Sequence, residues 1–396
     1  MPVPRYRQFR GPALFSAGFR PFFLCAAAWA ALAIPLWLFV FDGTVEVPTA
    51  LAPVTWHVHE MVFGYGAAAV AGFLLTAIPN WTGRLPLSGG RLILLVLLWA
   101  CGRAAVLLSA WAAAPGIAAA VDLSFLAAFL AVVTREIIAG RNWRNLPMVG
   151  ALGFLLLGSG LVHTEALGWA AVAAAGNRLG IATLLMLISL VGGRIVPSFT
   201  RNWLAKAELG AAQPASFDAF DRFALALTAI ALAVWVIWPD TVVAPALQLA
   251  AGLALAARLW RWRGGRTWRE PLVLVLHLGY GWLALGLVLL GLSRFVPNLP
   301  PTAALHALTV GAVGTMTLAV MTRASLGHTG RPLTAGPGTT AIYALVALAA
   351  LARVLAPLGG SHYFLLLSIA GAAWSGAFGL FVVFYAAMLA QPRPKV

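Results

Sequence analysis

Runs of roughly twenty apolar residues recur along the whole chain, parted by short stretches rich in Gly, Pro, Asn, Trp and Arg. Inside each run the apolar positions are continuous. The alternation of apolar and polar residues that a membrane β-barrel requires is missing. The pattern therefore predicts helices that cross a bilayer, at residues 21–41, 56–79, 92–111, 116–134, 146–163, 178–197, 222–239, 242–260, 271–292, 302–322, 338–357 and 362–389. The fold class expected is all-α: a polytopic membrane protein of twelve transmembrane helices, with residues 1–396 as one transmembrane domain.

Composition strengthens this picture. Of the 396 residues 62% are hydrophobic and 9% charged, with a mean hydropathy of +0.91, values no soluble fold needs. Cys25 and Cys101 both fall inside apolar runs and read as packing residues, and two cysteines are too few for an iron–sulfur cluster. Arg5, Arg7, Arg10 and Arg20 precede the first run, but no small-residue cleavage site follows, so no removable signal peptide is expected. A phosphate-binding Gly-Lys-Ser/Thr loop is also missing.

The net charge of +15 would suit a nucleic-acid partner if it were gathered on one soluble face. It is not. With the N-terminus placed in the cytoplasm and loops assigned alternately, all Lys and Arg except Arg103, Arg178, Arg294 and Arg353 fall on the inner side. Basicity of this kind is the positive-inside bias of a membrane protein; it predicts both termini inside, a lipid bilayer as surroundings and no nucleic-acid partner.

The chain also repeats itself. Gly140-Arg141-Asn142-Trp143-Arg144 before span 5 matches Gly265-Arg266-Thr267-Trp268-Arg269 before span 9, and Gly18-Phe19-Arg20-Pro21 opens span 1 more loosely. A second series links His59 and Thr82-Gly83-Arg84 to His306 and Thr329-Gly330-Arg331 at the same separation, with Gly64 and Gly311 at the same offset. Three pseudo-repeated four-helix units are expected, about 15–140, 141–265 and 266–396, with spans 2, 6 and 10 in equivalent places. The bland alternative is that Gly, Arg and Trp merely crowd cytoplasmic loops.

Ionisable residues in such runs are costly and so are functional candidates. The stretch Trp56-His57-Val58-His59-Glu60-Met61 holds three of them at the outward mouth of span 2. At about 100° per residue, His57 and His59 point to opposite helix faces, His57 with Glu60 and Met61, and His59 with Phe63. One helix could then serve two redox centres. His59 and His306, at the same repeat position, pair as the ligands of a b-type haem; one or two haems are expected. His57 would bind copper with Met61 or an outer histidine, His163 or His362, imidazole and thioether together suiting the cuprous ion. His277 in span 9 is either a ligand or bonded to a carbonyl. Arg103 and Arg353 either hold haem propionates or snorkel to the surface. Glu60 and Glu165 are the candidate proton donors, unless each is simply paired with Arg178 or Arg294; Asp122 begins span 4 at the same surface. His328 reads as loop structure, and Met316 and Met321 as core filler.

Several of these stretches resemble the NnrS family: Gly18-Phe19-Arg20-Pro21-Phe22-Phe23-Leu24, the WHVHEM run from Trp56, Ala71 to Thr76 with Pro79 to Gly83, Arg194 to Trp203, and Ala304 to Arg331. The resemblance covers nearly the whole chain. It implies a protein of the bacterial inner membrane that contains haem and copper and is associated with denitrification and nitric oxide stress. The plan is also similar to the catalytic subunits of haem–copper oxidases and nitric oxide reductases, where spans 2 and 10 carry haem ligands. Those proteins place copper ligands in spans 6 and 7, which hold no histidine here, so any copper site must be built differently. The function expected is reduction of nitric oxide to nitrous oxide, or its detoxification, with electrons from quinol or another donor. The alternatives are a twelve-helix metal or small-anion transporter and a haem sensor that binds nitric oxide without turnover.

Overall fold

A computed structural model describes residues 9, 11–111, 114–207 and 213–394. Arg5, Arg7, Arg10 and Lys395, counted above for orientation, lie outside the described residues, as does part of the polar connector at 204–221. Among the described residues, twelve helices are long and apolar enough to cross a membrane. We number them α1 Phe19–Phe41, α2 Pro53–Thr82, α3 Gly90–Leu107, α4 Pro115–Ala139, α5 Trp143–Ala166, α6 Ala173–Lys206, α7 Ala219–Ile237, α8 Val243–Trp260, α9 Pro271–Leu292, α10 Pro301–His328, α11 Pro337–Leu358 and α12 Gly360–Ala390. Each overlaps its expected run. The ends move outward most in α6 and α10, because helix geometry continues past the apolar stretch as far as a stop signal.

Those signals are local. Proline stands in the first turn at Pro53, Pro115, Pro271, Pro301 and Pro337, where its missing N–H costs no helical bond. Gly83 ends α2 in the left-handed region at φ 70°, a conformation in which a Cβ would be strained. Asp218 caps α7 reciprocally with Asp221. The Arg261 guanidinium beside Asp218 holds that carboxyl well below the usual carboxylate range.

Contacts divide the chain into two compact units. One comprises Met1–Thr183, Ala324–Arg331 and Phe381–Val396; the other, Leu184–Arg323 and Pro332–Leu380. In the first, α1 packs on α2, α3 on α4 and α4 on α5. Gly158 of α5 and Gly176 of α6 bring two backbones so close that a Cβ on Gly158 would stand 2.9 Å from the Gly176 carbonyl oxygen. The buried Arg20 donates to the Leu389 and Gln391 carbonyls at 2.6 and 2.7 Å, tying the end of α12 to the start of α1. In the second unit, α8 packs against α7 and α9. The fully buried Arg258 donates to Asp221 Oδ1 at 2.6 Å, to Tyr280 Oη at 2.9 Å and to the Ser189 carbonyl at 3.1 Å.

Three spans widen into π-helix: α2 at Glu60–Gly66, α6 at Ile188–Gly192 and α10 at Ala307–Gly314. These are the spans the sequence repeat treats as equivalent. The two compact units cut across the boundaries of that repeat.

Candidate metal centre

The centre belongs to the first unit, and its parts come from four helices. His59 ends the α-helical first turns of α2, and Glu60 opens the π segment. Arg103 lies on α3, Asp122 two turns into α4, and Ser159 and His163 on α5. All six are buried, His59 and Ser159 completely.

Asp122 is the hub. Its Oδ2 stands 2.9 Å from His163 Nε2 and 3.2 Å from His59 Nε2, and it accepts from Ser159 Oγ at 3.1 Å. Its other oxygen is paired with Arg103 Nη2. Arg103 Nη1 donates to Glu60 Oε1 at 2.7 Å, and the same oxygen lies 3.2 Å from His59 Nδ1. A carboxylate can only accept, so Nδ1 of His59 donates to Glu60. Nε2 also faces acceptors, Asp122 Oδ2 and the Ser159 hydroxyl that already donates to Asp122, so a metal bound at Nε2 would take the place of a proton there. The two rings meet edge to face at 5.2 Å.

Ligand atoms of His59, Asp122 and His163 lie within 4.8 Å of one another, close enough for one metal ion. The outer arrangement is what a metal-binding imidazole needs: a carboxylate on the far ring nitrogen fixes tautomer and orientation, and a guanidinium steadies both acids. Charge agrees. Glu60 and Asp122 outweigh Arg103 by one negative charge when both imidazoles are neutral, and burial makes an uncompensated charge costly. A cation at this point relieves it, either the second proton of His59 or a metal ion that replaces it. Two imidazoles and a carboxylate suit a borderline divalent ion such as Fe(II), Zn(II) or Cu(II). They do not make the soft thioether–imidazole cuprous site expected from His57 and Met61.

One side of the cluster is shaped by a glycine. A Cβ on Gly64 would stand 2.9 Å from Arg103 Nη1, 3.0 Å from Trp29 Nε1 and 3.1 Å from Glu60 Oε2. Neither Trp29 Nε1 nor Glu60 Oε2 has a hydrogen-bond partner, so three polar groups face one side-chain-sized space.

The structure brings together some expected residues and separates others. His59 and Phe63 do share a face, their rings 5.3 Å apart. His57 is on the other side of α2, its ring stacked on Trp37 at 4.6 Å. Glu60 goes with His59 and not with His57, because the helix widens at that residue and the α-helical period no longer applies. His59 has Nδ1 on Glu60 and Nε2 among Ser159 and Asp122, so an iron at Nε2 would have to displace those groups. His306 belongs to the other unit, and its Nδ1 donates to the Thr302 carbonyl at 2.7 Å. Arg103 does not snorkel; it is buried between two acids. Arg353 and Met61 are half-buried, while His362, in the 3-10 turn that opens α12, is exposed.

Glu165 is exposed, and its carboxylate accepts from Ala173 N at 2.8 Å, across the turn into α6. His277 is buried, with Nε2 at 2.8 Å from Thr200 Oγ1. His328 is the last residue of α10 and not loop. Met316 and Met321 are buried as expected, whereas Cys101 is exposed on its helix and packs against no core. From the sequence Asp122 stood out only by its place at the outer surface, without a role, and Ser159 not at all. The available signal was a lone carboxylate within an apolar span.

Helices, buried histidines and carboxylates of this kind define a polytopic membrane protein with a centre able to hold a metal. The chain belongs to the NnrS family: the family model, described as NnrS protein, matches residues 13–393. No curated protein matches the chain significantly. Membership is consistent with a membrane protein involved in the response to nitric oxide.

Proposed function

We propose that this protein is a metalloprotein of the bacterial inner membrane that reduces nitric oxide to nitrous oxide, with a divalent metal, copper first, held by His59 Nε2, His163 Nε2 and Asp122 Oδ2. The observation that carries the proposal is the convergence of these three donors with Glu60 already placed on the far nitrogen of His59. When bound, the metal supplies a coordination position for nitric oxide and a one-electron couple. Reduction of two nitric oxide molecules to nitrous oxide and water consumes two protons and two electrons. Glu60 Oε2, buried and without a partner, is the acid placed to hold a proton at the centre. Arg103 keeps Glu60 and Asp122 in register, and Trp29 Nε1 with Arg103 Nη1 offers donors beside that oxygen. Haem is expected in addition, with His306 as the ligand whose ring orientation is already set by the Thr302 carbonyl.

Metal and haem quantitation on purified wild type and on His163→Ala, combined with nitrous oxide release, tests this. We expect His163→Ala to lose the metal and nitrous oxide formation but to keep its haem spectrum. Wild-type protein without stoichiometric metal would refute the site. Metal-loaded protein that binds nitric oxide and releases no nitrous oxide would leave a sensor, and a colourless, metal-free protein a transporter.

A further inference from the structure

The second unit contains a pocket of about 930 Å³ between α8, α9, α10 and α11 that the metal centre does not use. Its wall is apolar over most of its extent, with Trp282 among the lining residues, while Arg263 and Arg266 stand where α8 gives way to the turn before α9. Two buried polar atoms on this wall have no hydrogen-bond partner: His277 Nδ1 and Thr315 Oγ1. Both residues are more than nine-tenths buried, His277 at 6% and Thr315 at 3% exposure. Such atoms are expensive to leave unpaired inside an apolar helix bundle.

The state of His277 can be read from its neighbour. Thr200 Oγ1 donates its one hydrogen to the Val196 carbonyl at 2.9 Å. Towards His277 it can only accept, so Nε2–H is the donor across the 2.8 Å contact. In the neutral ring, Nδ1 is then a bare lone pair that seeks a donor. It lies against Gly264, where a Cβ would overlap it, so the Gly264-Gly265 turn leaves it covered by no side chain.

We propose that this pocket binds a membrane-borne hydroquinone, its ring hydroxyl donating to His277 Nδ1, Thr315 Oγ1 pairing with its polar ring substituents, and its apolar tail lying along the Trp282 side. A phospholipid fits less well, since its phosphate would engage Arg263 and Arg266 and leave the two deep polar atoms unpaired. A haem fits less well too: Nε2 is committed to Thr200, and a macrocycle on Nδ1 would occupy the space of the Gly264 turn. The site stands whether or not the first unit carries a metal.

The test uses full-length protein in phosphatidylcholine nanodiscs and a photoreactive azidoubiquinol, its ring in the hydroquinone form, with labelled peptides mapped and decylubiquinol and phosphatidylglycerol as competitors. Labelling should fall on the lining segments of α8 to α11 and be displaced by decylubiquinol but not by phosphatidylglycerol. Thr315→Val and His277→Leu should each weaken decylubiquinol competition roughly tenfold, as loss of one buried hydrogen bond implies. Gly281→Leu, which fills the pocket from a position where a Cβ meets only Leu259 at 3.5 Å, should abolish labelling there. Equal displacement by phosphatidylglycerol would make the pocket a lipid groove. Loss of haem absorbance in His277→Leu would make it a haem site. Labelling elsewhere, or unchanged competition in both polar variants, overturns the proposal as well.

Discussion

At the scale of single residues, Asp122 decides most. Among the described residues it alone touches both histidines, Ser159 and Arg103. Replacing it by Asn keeps the shape and removes the charge, leaving Arg103 buried against Glu60 alone. Breaking a buried pair in this way costs on the order of 3–5 kcal/mol. We expect Asp122→Asn to unfold at clearly lower temperature in detergent and to bind no metal, by thermal melting and metal analysis. Glu165 is the opposite case. Its carboxylate caps the backbone at Ala173, so Glu165→Gln should cost roughly 1 kcal/mol or less and leave nitrous oxide release unchanged. A large fall in turnover at full metal loading would restore it as a proton donor. The opposition of His57 and His59 was legible from helical periodicity alone. Asp122 was not, because its partners lie on α2, α3 and α5 and no spacing along the chain joins them.

At the scale of elements, the π segment of α2 sets the centre's geometry. It places Glu60 beside His59 and turns Gly64 towards Arg103 and Trp29. Such widened turns carry one more residue than an α-helix of the same height, and they gather at functional sites. Deleting Val62 should therefore let α2 revert to α-helix, rotating one side of the helix against the other by about 100°. Far-ultraviolet circular dichroism should stay unchanged while metal content falls; a variant that keeps its metal would show that the π segment is incidental. Helix ends were legible because Pro and Gly mark them locally. The π segments were not, since the stretch from Glu60 to Gly66 has no residue pattern that distinguishes it from ordinary apolar helix.

For the whole molecule, the basic loops argue for an orientation. Arg261, Arg263, Arg266 and Arg269 crowd the connection from α8 to α9, whereas the connection from α9 to α10 carries only Arg294. We expect an alkaline phosphatase fusion after Asn298 to be active and one after Gly265 to be inactive, with both termini inside. The reverse result would invert the protein and place the His59 end of α2 at the cytoplasmic surface. The threefold repeat belongs to this scale too. The spans it treats as equivalent, α2, α6 and α10, each carry a π segment, whereas packing groups the chain into two units and not three.

The chain by itself determined the number of helices, their approximate ends and the residues worth watching. Each of these rests on composition within one window or on a period along one helix. Which histidine meets which carboxylate was decided only in the tertiary structure. Residues far apart along the chain, from His59 to His163, meet through the packing of α2 to α5, and a local widening of one helix fixes the angle at which they do so.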